Sequence, residues 1–349
     1  MSYYSDMKKG HKEFSEARKE WSRRADQEPA WRTERKEIKE VLDSDSFEEF
    51  IFVTIDDPAL WSSFFGLDPD RGLVFPRYGK VEFWRTLING QFEIPWGDTN
   101  IYDWEILAAY ENIPVEDLTK TEREVLVNIS LQQVYLFPNE GDRYLDAQGR
   151  EREQIPPLMV GRYEVTQVLW AEVLKGTKNV NPSEFQGATR PVENVSWGEC
   201  LVFCDRLSRK MGLQLCYEPT EEGTWKWNRK ANGYRLPTSK EWTLAAEGGD
   251  GFVYAGSDDI KEVAWYAGNG GRRTHAVGQL KMNGIQTFDM SGNVWEWTWT
   301  GNVGERVSRG GSWYGNAGNA RVSLRRWYFA SRRLSRQGFR FVRNMGKDD

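Results

Sequence analysis

Along the chain, apolar side chains recur at helical spacing in some stretches and at strand spacing in others, and they change character near residue 130. In residues 1–45, Phe14, Trp21, Trp31, Ile38, Val41 and Leu42 fall at scattered helical intervals among Lys, Arg and Glu, which predicts a charged helical arm broken near Pro29. Asp43-Ser-Asp-Ser46 is a turn or helix-capping cluster, and Phe47–Ile55 is a β-leaning run. From Pro58 to Pro95, aromatic residues alternate with Gly66, Gly72, Gly79 and Gly90, predicting a small core with many turns. Asp103–Glu111 and Thr119–Leu131 read as helices, the second with Thr121-Glu-Arg-Glu124 as its capped start. Residues 46–130 are thus expected to form an accessory or docking region of mixed α/β type.

From Val134 the pattern predicts a strand and a long turn containing Gly141 and Gly149, and then Tyr163–Trp170 carries a strand into a helix capped by Thr166. Trp197–Met211 is a second helix with Val202, Phe203 and Leu207 inward. Leu236-Pro-Thr238 followed by Glu241 is a Thr-x-x-Glu start for a third, with Trp242, Leu244 and Ala245 toward the core. The last third is different. Asp289-Met-Ser-Gly-Asn-Val-Trp-Glu-Trp297 packs tryptophans around a Gly-Asn turn, Arg309-Gly-Gly-Ser-Trp313 lets backbone approach backbone, and Gly338-Phe-Arg-Phe341 closes the chain. Between the last two motifs lies a long segment with neither strand alternation nor helical period, rich in Arg, Tyr, Trp and Asn, of the kind that serves function from a loop.

Composition narrows the options. The 349 residues suffice for two or three domains, and 17 Trp, 17 Phe and 14 Tyr supply core area despite a mean hydropathy of -0.69. The net charge of -5 hides ten arginines against the single acid Glu305 between positions 305 and 343. Arginine forks onto carboxylates and stacks on rings. These side chains therefore either satisfy internal carbonyls or line a recognition face. Cys200, Cys204 and Cys216 are too few and too clustered for a disulfide framework and read as buried thiols. Acids alternate with bases in the arm, which argues against nucleic-acid binding. The opening residues lack the apolar run of a signal peptide and no stretch of about 18 apolar residues occurs, so a cytoplasmic or particle-associated protein without a membrane span is expected.

Gly161–Gln167, Arg190–Trp197, Tyr234–Trp242, Asp289–Trp297, Arg309–Trp313 and Gly338–Arg340 together resemble, in order, the motifs of the formylglycine-generating-enzyme (sulfatase-modifying factor) family. The likeness covers residues from roughly 130 to 345. It implies an α+β, C-type-lectin-like fold with little regular secondary structure over residues 131–349, preceded by the smaller mixed α/β region. The family's oxidases hold copper on two cysteines after the Gly-Gly-Ser-aromatic turn. By position those sites are Gly315 and Ala320 here, which carry no ligand atom, so no copper and no oxidase activity are expected. The iron-dependent sulfoxide synthases of the same fold need clustered histidines, and only His11 and His275 are present. The chain is therefore read as a non-enzyme, with a formylglycine-generating-type oxidase or an intracellular regulatory pseudo-enzyme module as the alternatives.

The resemblance also implies a structural calcium held by the side chains at Asp289 and Glu296 and the carbonyls at Gly292 and Val294, a hard-oxygen set of the type calcium accepts. The alternative is that Glu296 only accepts hydrogen bonds inside the turn. Some relatives are bacterial or phage variable proteins of diversity-generating retroelements, whose diversified stretch lies between a Gly-Gly-Ser-Trp and a Gly-Phe-Arg. On that likeness the ligand-binding residues are Tyr314, Asn316, Leu324, Arg326, Trp327, Tyr328, Phe329, Arg332, Leu334, Ser335 and Arg336. Trp327 is read as a fixed position, because adenine changes in an asparagine codon cannot give UGG. Exposed Tyr, Phe and Arg carry binding energy, on the order of 2 kcal/mol or more each in a partner's pocket. Internal packing of the same residues is the competing reading. The expected partner is a protein or cell-surface ligand that meets residues 314–336; oligomeric state is left open.

Overall fold

A computed structural model describes residues 67–68, 72–73, 103–139, 141–145, 151–177, 181–221, 224–302 and 304–345. The chain divides into two units, Met1–Glu93 and Ile94–Asp349. In the first, Leu67–Asp68 pairs antiparallel with Gly72–Leu73. The helical arm, the Phe47–Ile55 run and the rest of the aromatic core expected before Pro95 lie outside the described residues.

The second unit contains α1 (Asp103–Ala109) and α2 (Lys120–Ser130), which the sequence reading placed in the accessory region. The capped start of α2 is one pair earlier than expected. Thr119 accepts from the Glu122 backbone and Glu122 answers to the Thr119 N–H, while Thr121 and Glu124 are helical. Both pairs read Thr-x-x-Glu, but Glu122 is fully buried and receives the Tyr110 hydroxyl at 2.9 Å, whereas Glu124 is exposed. Thr189 donates its hydroxyl to the Leu107 carbonyl and Thr166 donates to Ser130, which stitches these helices to the rest of the unit.

Two four-stranded sheets organise the remainder of the unit. Their strands, in chain order, are β1 (Gln133–Leu136), β2 (Leu158–Gly161), β3 (Tyr234–Arg235), β4 (Trp295–Gly301), β5 (Glu305–Arg309), β6 (Arg326–Phe329), β7 (Gln337–Gly338) and β8 (Val342–Asn344). The first sheet runs β1-β2-β8-β3 and is antiparallel throughout; the second runs β6-β5-β4-β7, with only the last pair parallel. The expected strand at Tyr163 is not one, since the ladder ends at Gly161 and the chain then dips inward.

Helices α3 (Gln167–Val173), α4 (Trp197–Lys210) and α5 (Ser239–Glu247) are capped by Thr166, Ser196 and Thr238, the last two through complete capping boxes with Glu199 and Glu241. In α4 it is Leu201, not Val202, that is fully buried beside Phe203 and Leu207. Cys200, Cys204 and Cys216 are free and buried. Between the helices and the second sheet lies an aromatic core: Trp170 stacks on Phe203 at 5.5 Å and Phe339 meets both rings edge-on. Two core indoles donate to carbonyls, Trp197 to Thr298 and Trp297 to Val195, while the Trp170 N–H has no partner. Among the described residues no helix is long and apolar enough to cross a membrane.

Candidate functional site

The Asp289–Trp297 motif is the knot of the second unit. Gly292 has φ +90°, and a Cβ there would lie 2.4 Å from the Trp265 carbonyl oxygen, so the turn admits only glycine. Asn293 follows at φ +49° and donates to Glu164 at 2.7 Å, while its carbonyl receives the Trp313 N–H at 2.8 Å. The Gly-Gly-Ser-Trp turn is thereby tied to the Gly-Asn turn. Gly311, at φ +82°, passes so close to Asn319 and Ala320 that a Cβ would sit 2.8 Å from a backbone oxygen.

Three buried carboxylates meet here. Glu296 is held by Arg340, whose Nε donates to both carboxylate oxygens (3.0 and 2.8 Å) and whose Nη2 donates to one at 2.8 Å; the Trp242 indole donates to the other at 2.7 Å. Arg340 also donates to the carbonyls of Gly161, Arg162 and Phe288. Glu164 accepts from Asn293 and from the Val294 backbone, and Asp289 accepts from the Gly278 N–H at 2.7 Å. Burial pushes the Asp289 carboxyl up to about 6. Glu164 is raised well above the usual range by burial and by its neighbours Asp289 and Glu296.

These residues do not fit a calcium ion as placed. Each oxygen of Glu296 already accepts two hydrogen bonds, from the Arg340 guanidinium and, at one of them, the Trp242 indole, so neither is free to ligate an ion. Among the described residues no group of three or more His, Cys, Asp or Glu is arranged to hold a metal. The geometry is that of Glu296 accepting hydrogen bonds inside the turn. Glu164 and Arg340 are central to this knot, and sequence reading did not assign them to it; Asn293 it placed in the turn, without its partner Glu164. The signal available was that Glu164 is the one acid between Glu153 and Glu172 and stands between Tyr163 and Val165.

Residues 314–336 run over the outside of this knot. Tyr314 and Phe329 are each 61% exposed and Trp327 46%; Asn316, Arg326 and Arg332 are also exposed. Leu324, Tyr328, Leu334, Ser335 and Arg336 are half-buried. The segment is not without strand structure, as its composition implied: β6 pairs antiparallel with β5, Phe329 opposite Glu305 and Arg326 opposite Ser308. Pleating therefore splits the set. Tyr328 turns onto Trp295 and Trp297, and the Arg326 guanidinium lies 5.7 Å over Trp295 while donating to Asn319. Trp327 and Phe329 occupy the opposite face. Arg336 lies over Tyr314 at 5.0 Å, and Trp313 donates to the Ser335 carbonyl, fixing both ends of the loop to the scaffold.

Gly315 packs against Asn319, and Ala320 is buried, its carbonyl receiving the Ser291 hydroxyl. The three thiols belong instead to the core behind α4 and to the start of the ribbon at Tyr217–Pro219, and burial raises all three.

Known proteins share this architecture. The chain is 37% identical over 226 residues to the chaperone protein LppX of Paenibacillus barcinonensis, covering 53% of this chain and 79% of that protein. Treponema denticola variable protein 1 superposes with a TM-score of 0.54 at 28% identity, over 61% of this chain and 95% of its own. The crystal structure of CarF gives 0.50 at 29% identity, over 62% and 99%. Residues 120–345 match the model of the sulfatase-modifying factor enzyme 1-like domain, and the chain belongs to that family.

Proposed function

We propose that this protein is a non-catalytic ligand-binding member of its family, which presents residues 314–336 to a protein or cell-surface ligand. The observation that carries the reading is the pairing of an exposed Tyr314, Trp327, Phe329 and Arg332 with a rigid base: the backbone beneath them is fixed by Trp313 to Ser335, by Trp295 to Arg336 and by β5 to β6. A site whose scaffold is already ordered loses little entropy on binding. Tyrosine, tryptophan and arginine are the side chains from which binding hot spots are built. The likeness to a variable protein of Treponema denticola and to the chaperone protein LppX supports a binding rather than a catalytic use of this fold. Gly315 and Ala320 offer no copper ligand, which supports the absence of oxidase chemistry.

The reading is tested by joint substitution of Tyr314, Phe329 and Arg332 with Ala. The labelled full chain is titrated onto intact bacterial cells and onto an array of purified proteins. The variant should melt as the parent does and lose the binding the parent has. Binding that survives the substitutions, or aldehyde formation on a cysteine-containing peptide in the presence of copper, would overturn it. Diversification of the segment is a separate matter of the coding locus: it predicts a neighbouring reverse transcriptase and a near-copy of the 3′ end that differs only at adenines.

A further inference from the structure

We infer that the outer edge of β6 is a docking site for an extended acidic segment of a partner protein, which adds to the second sheet as a further strand. This deepens the ligand-binding reading and rests on it. β6 is the terminal strand of its sheet, and among the described residues no strand pairs with its outer side. The Ala330 N–H donates to the Gly304 carbonyl at 2.8 Å, one step beyond the Phe329–Glu305 pair. Antiparallel pairs alternate between bonded and non-bonded positions. Tyr328 and Arg326 therefore direct their backbone groups to β5, while Trp327 and Phe329 direct theirs outward. The Phe329 carbonyl is taken by the Arg332 N–H at 2.9 Å. The outward set is then the N–H and C=O of Trp327 and the N–H of Phe329, the spacing that an added antiparallel or parallel strand reads.

Proteins blunt open edges with lysine, proline, bulges or a covering element. β6 has neither lysine nor proline, and its ladder to β5 has no bulge over Arg326–Phe329. Its one charged side chain, Arg326, is turned onto Trp295 and Asn319. What stands out from it is Trp327 and Phe329. Among the described residues the edge is an open template with two apolar side chains, a combination that a strand partner covers.

Charge selects the partner. Arg321, Arg325 and Arg332 are exposed around the edge, Arg333 is paired with Glu199, and Glu305 is the single acid of residues 305–343. An acidic strand is drawn to this field and a basic one is repelled. A single-stranded nucleic acid would also meet arginines and rings. It would leave the alternating backbone groups unused, and they favour a peptide.

The test uses the full chain and a fluorescein-labelled peptide of about eight residues alternating glutamate and valine, a length that spans the edge. Two N-methylated forms of the peptide, blocked on one or the other backbone face, and an oligothymidine of similar length serve as comparisons. The unmodified peptide should bind, one methylated form should bind at least roughly tenfold more weakly than the other, and amide exchange at Trp327 and Phe329 should slow on saturation. Trp327→Pro, which removes the outward N–H and leaves the ladder to β5, should weaken binding roughly tenfold beyond Trp327→Ala, with melting measured for both. Equal affinity of the two methylated forms, unchanged exchange at Trp327 and Phe329, or tighter binding of the oligothymidine would overturn strand addition. If ligands found on cells or arrays depend on Tyr314, Phe329 and Arg332 while exchange at Trp327 stays unchanged, strand addition falls and the ligand-binding reading stands. If neither the peptide nor any cell or array component binds, both fall.

Discussion

Arg340 and Arg332 lie eight positions apart and do opposite things. Arg340 is fully buried and directs its donors to Glu296 and to three carbonyls, that of Gly161 at the end of β2 and those of Arg162 and Phe288 outside any strand. Arg332 is exposed, with its guanidinium in solvent. Arg309 belongs with Arg340: it is buried, donates to the carbonyls of Val322, Ser323 and Leu324, and is pushed down to about 10 by that burial. A fold with short ladders leaves many carbonyls unmatched, and a planar fork that reaches several at once fills the gap. In this domain, then, a buried arginine substitutes for secondary structure, while an exposed one such as Arg332 leaves its donors free of that task. The reading of these arginines as donors to internal carbonyls holds for Arg309 and Arg340, while Arg332 is exposed, as a recognition face would require.

The largest effect that could break this comparison comes from Arg340→Met. It would leave Glu296, Glu164 and Asp289 without their cation and strand the carbonyls of Gly161, Arg162 and Phe288. Removing one partner of a buried pair costs about 3–5 kcal/mol, so denaturant unfolding should move by that much or the chain should fail to fold. Arg332→Met should change stability by less than about 0.5 kcal/mol. Similar losses for the two would dissolve the distinction.

A second effect, comparable in size, separates a tolerated buried acid from a neutralised one. Glu193 accepts the Phe185 N–H at 2.9 Å but its other oxygen has no partner, and burial pushes its carboxyl up to about 8. Its folded pKa stands above the unfolded value of 4.5, so its contribution is fully present below that value and is lost as pH rises through about 8. Stability should therefore fall between these limits, by on the order of a few kcal/mol at about 1.4 kcal/mol per unit. Glu193→Gln should flatten that part of the profile. Melting curves taken across the range check it, and an unchanged slope in the variant would place the titration elsewhere.

What could be read in the sequence divides along similar lines. Caps were legible because they are local: Thr166, and Thr238 with Glu241, stand where side chain and backbone meet within one turn. Where two local strings competed, at Thr119 and Thr121, burial of Glu122 under Tyr110 decided, and burial is not a local property. The Gly-Asn and Gly-Gly turns were legible as close approaches. Their partners were not, since Glu164 lies well over a hundred positions before Asn293 and nothing in the intervening pattern links them. Tyr314, Trp327 and Phe329 are exposed, whereas Leu324, Tyr328, Leu334, Ser335 and Arg336 of the same set are half-buried. The strand within it escaped notice because Arg-Trp-Tyr-Phe329 has no polar and apolar alternation: an aromatic ring is useful on both faces of this edge, packed on one and exposed on the other.

That last point gives the finest test, on two adjacent rings of one strand. Tyr328 is half-buried, meeting Trp295 at 6.4 Å and Trp297 at 6.2 Å, both edge-on. Phe329, one residue later, is 61% exposed. Aromatic pairs of this geometry contribute about 0.5–1.5 kcal/mol beyond the area they bury. Tyr328→Ala should therefore destabilise the domain by roughly 1–3 kcal/mol, while Phe329→Ala should stay within about 0.5 kcal/mol. Ligand binding should order them the other way, with Phe329 the direct contact and Tyr328 acting only by holding the strand in place. Denaturant midpoints read beside binding titrations measure both. A stability loss at Phe329 equal to that at Tyr328 would mean that the outer ring is part of the packing, and the line drawn here between scaffold and display would have to move one strand outward.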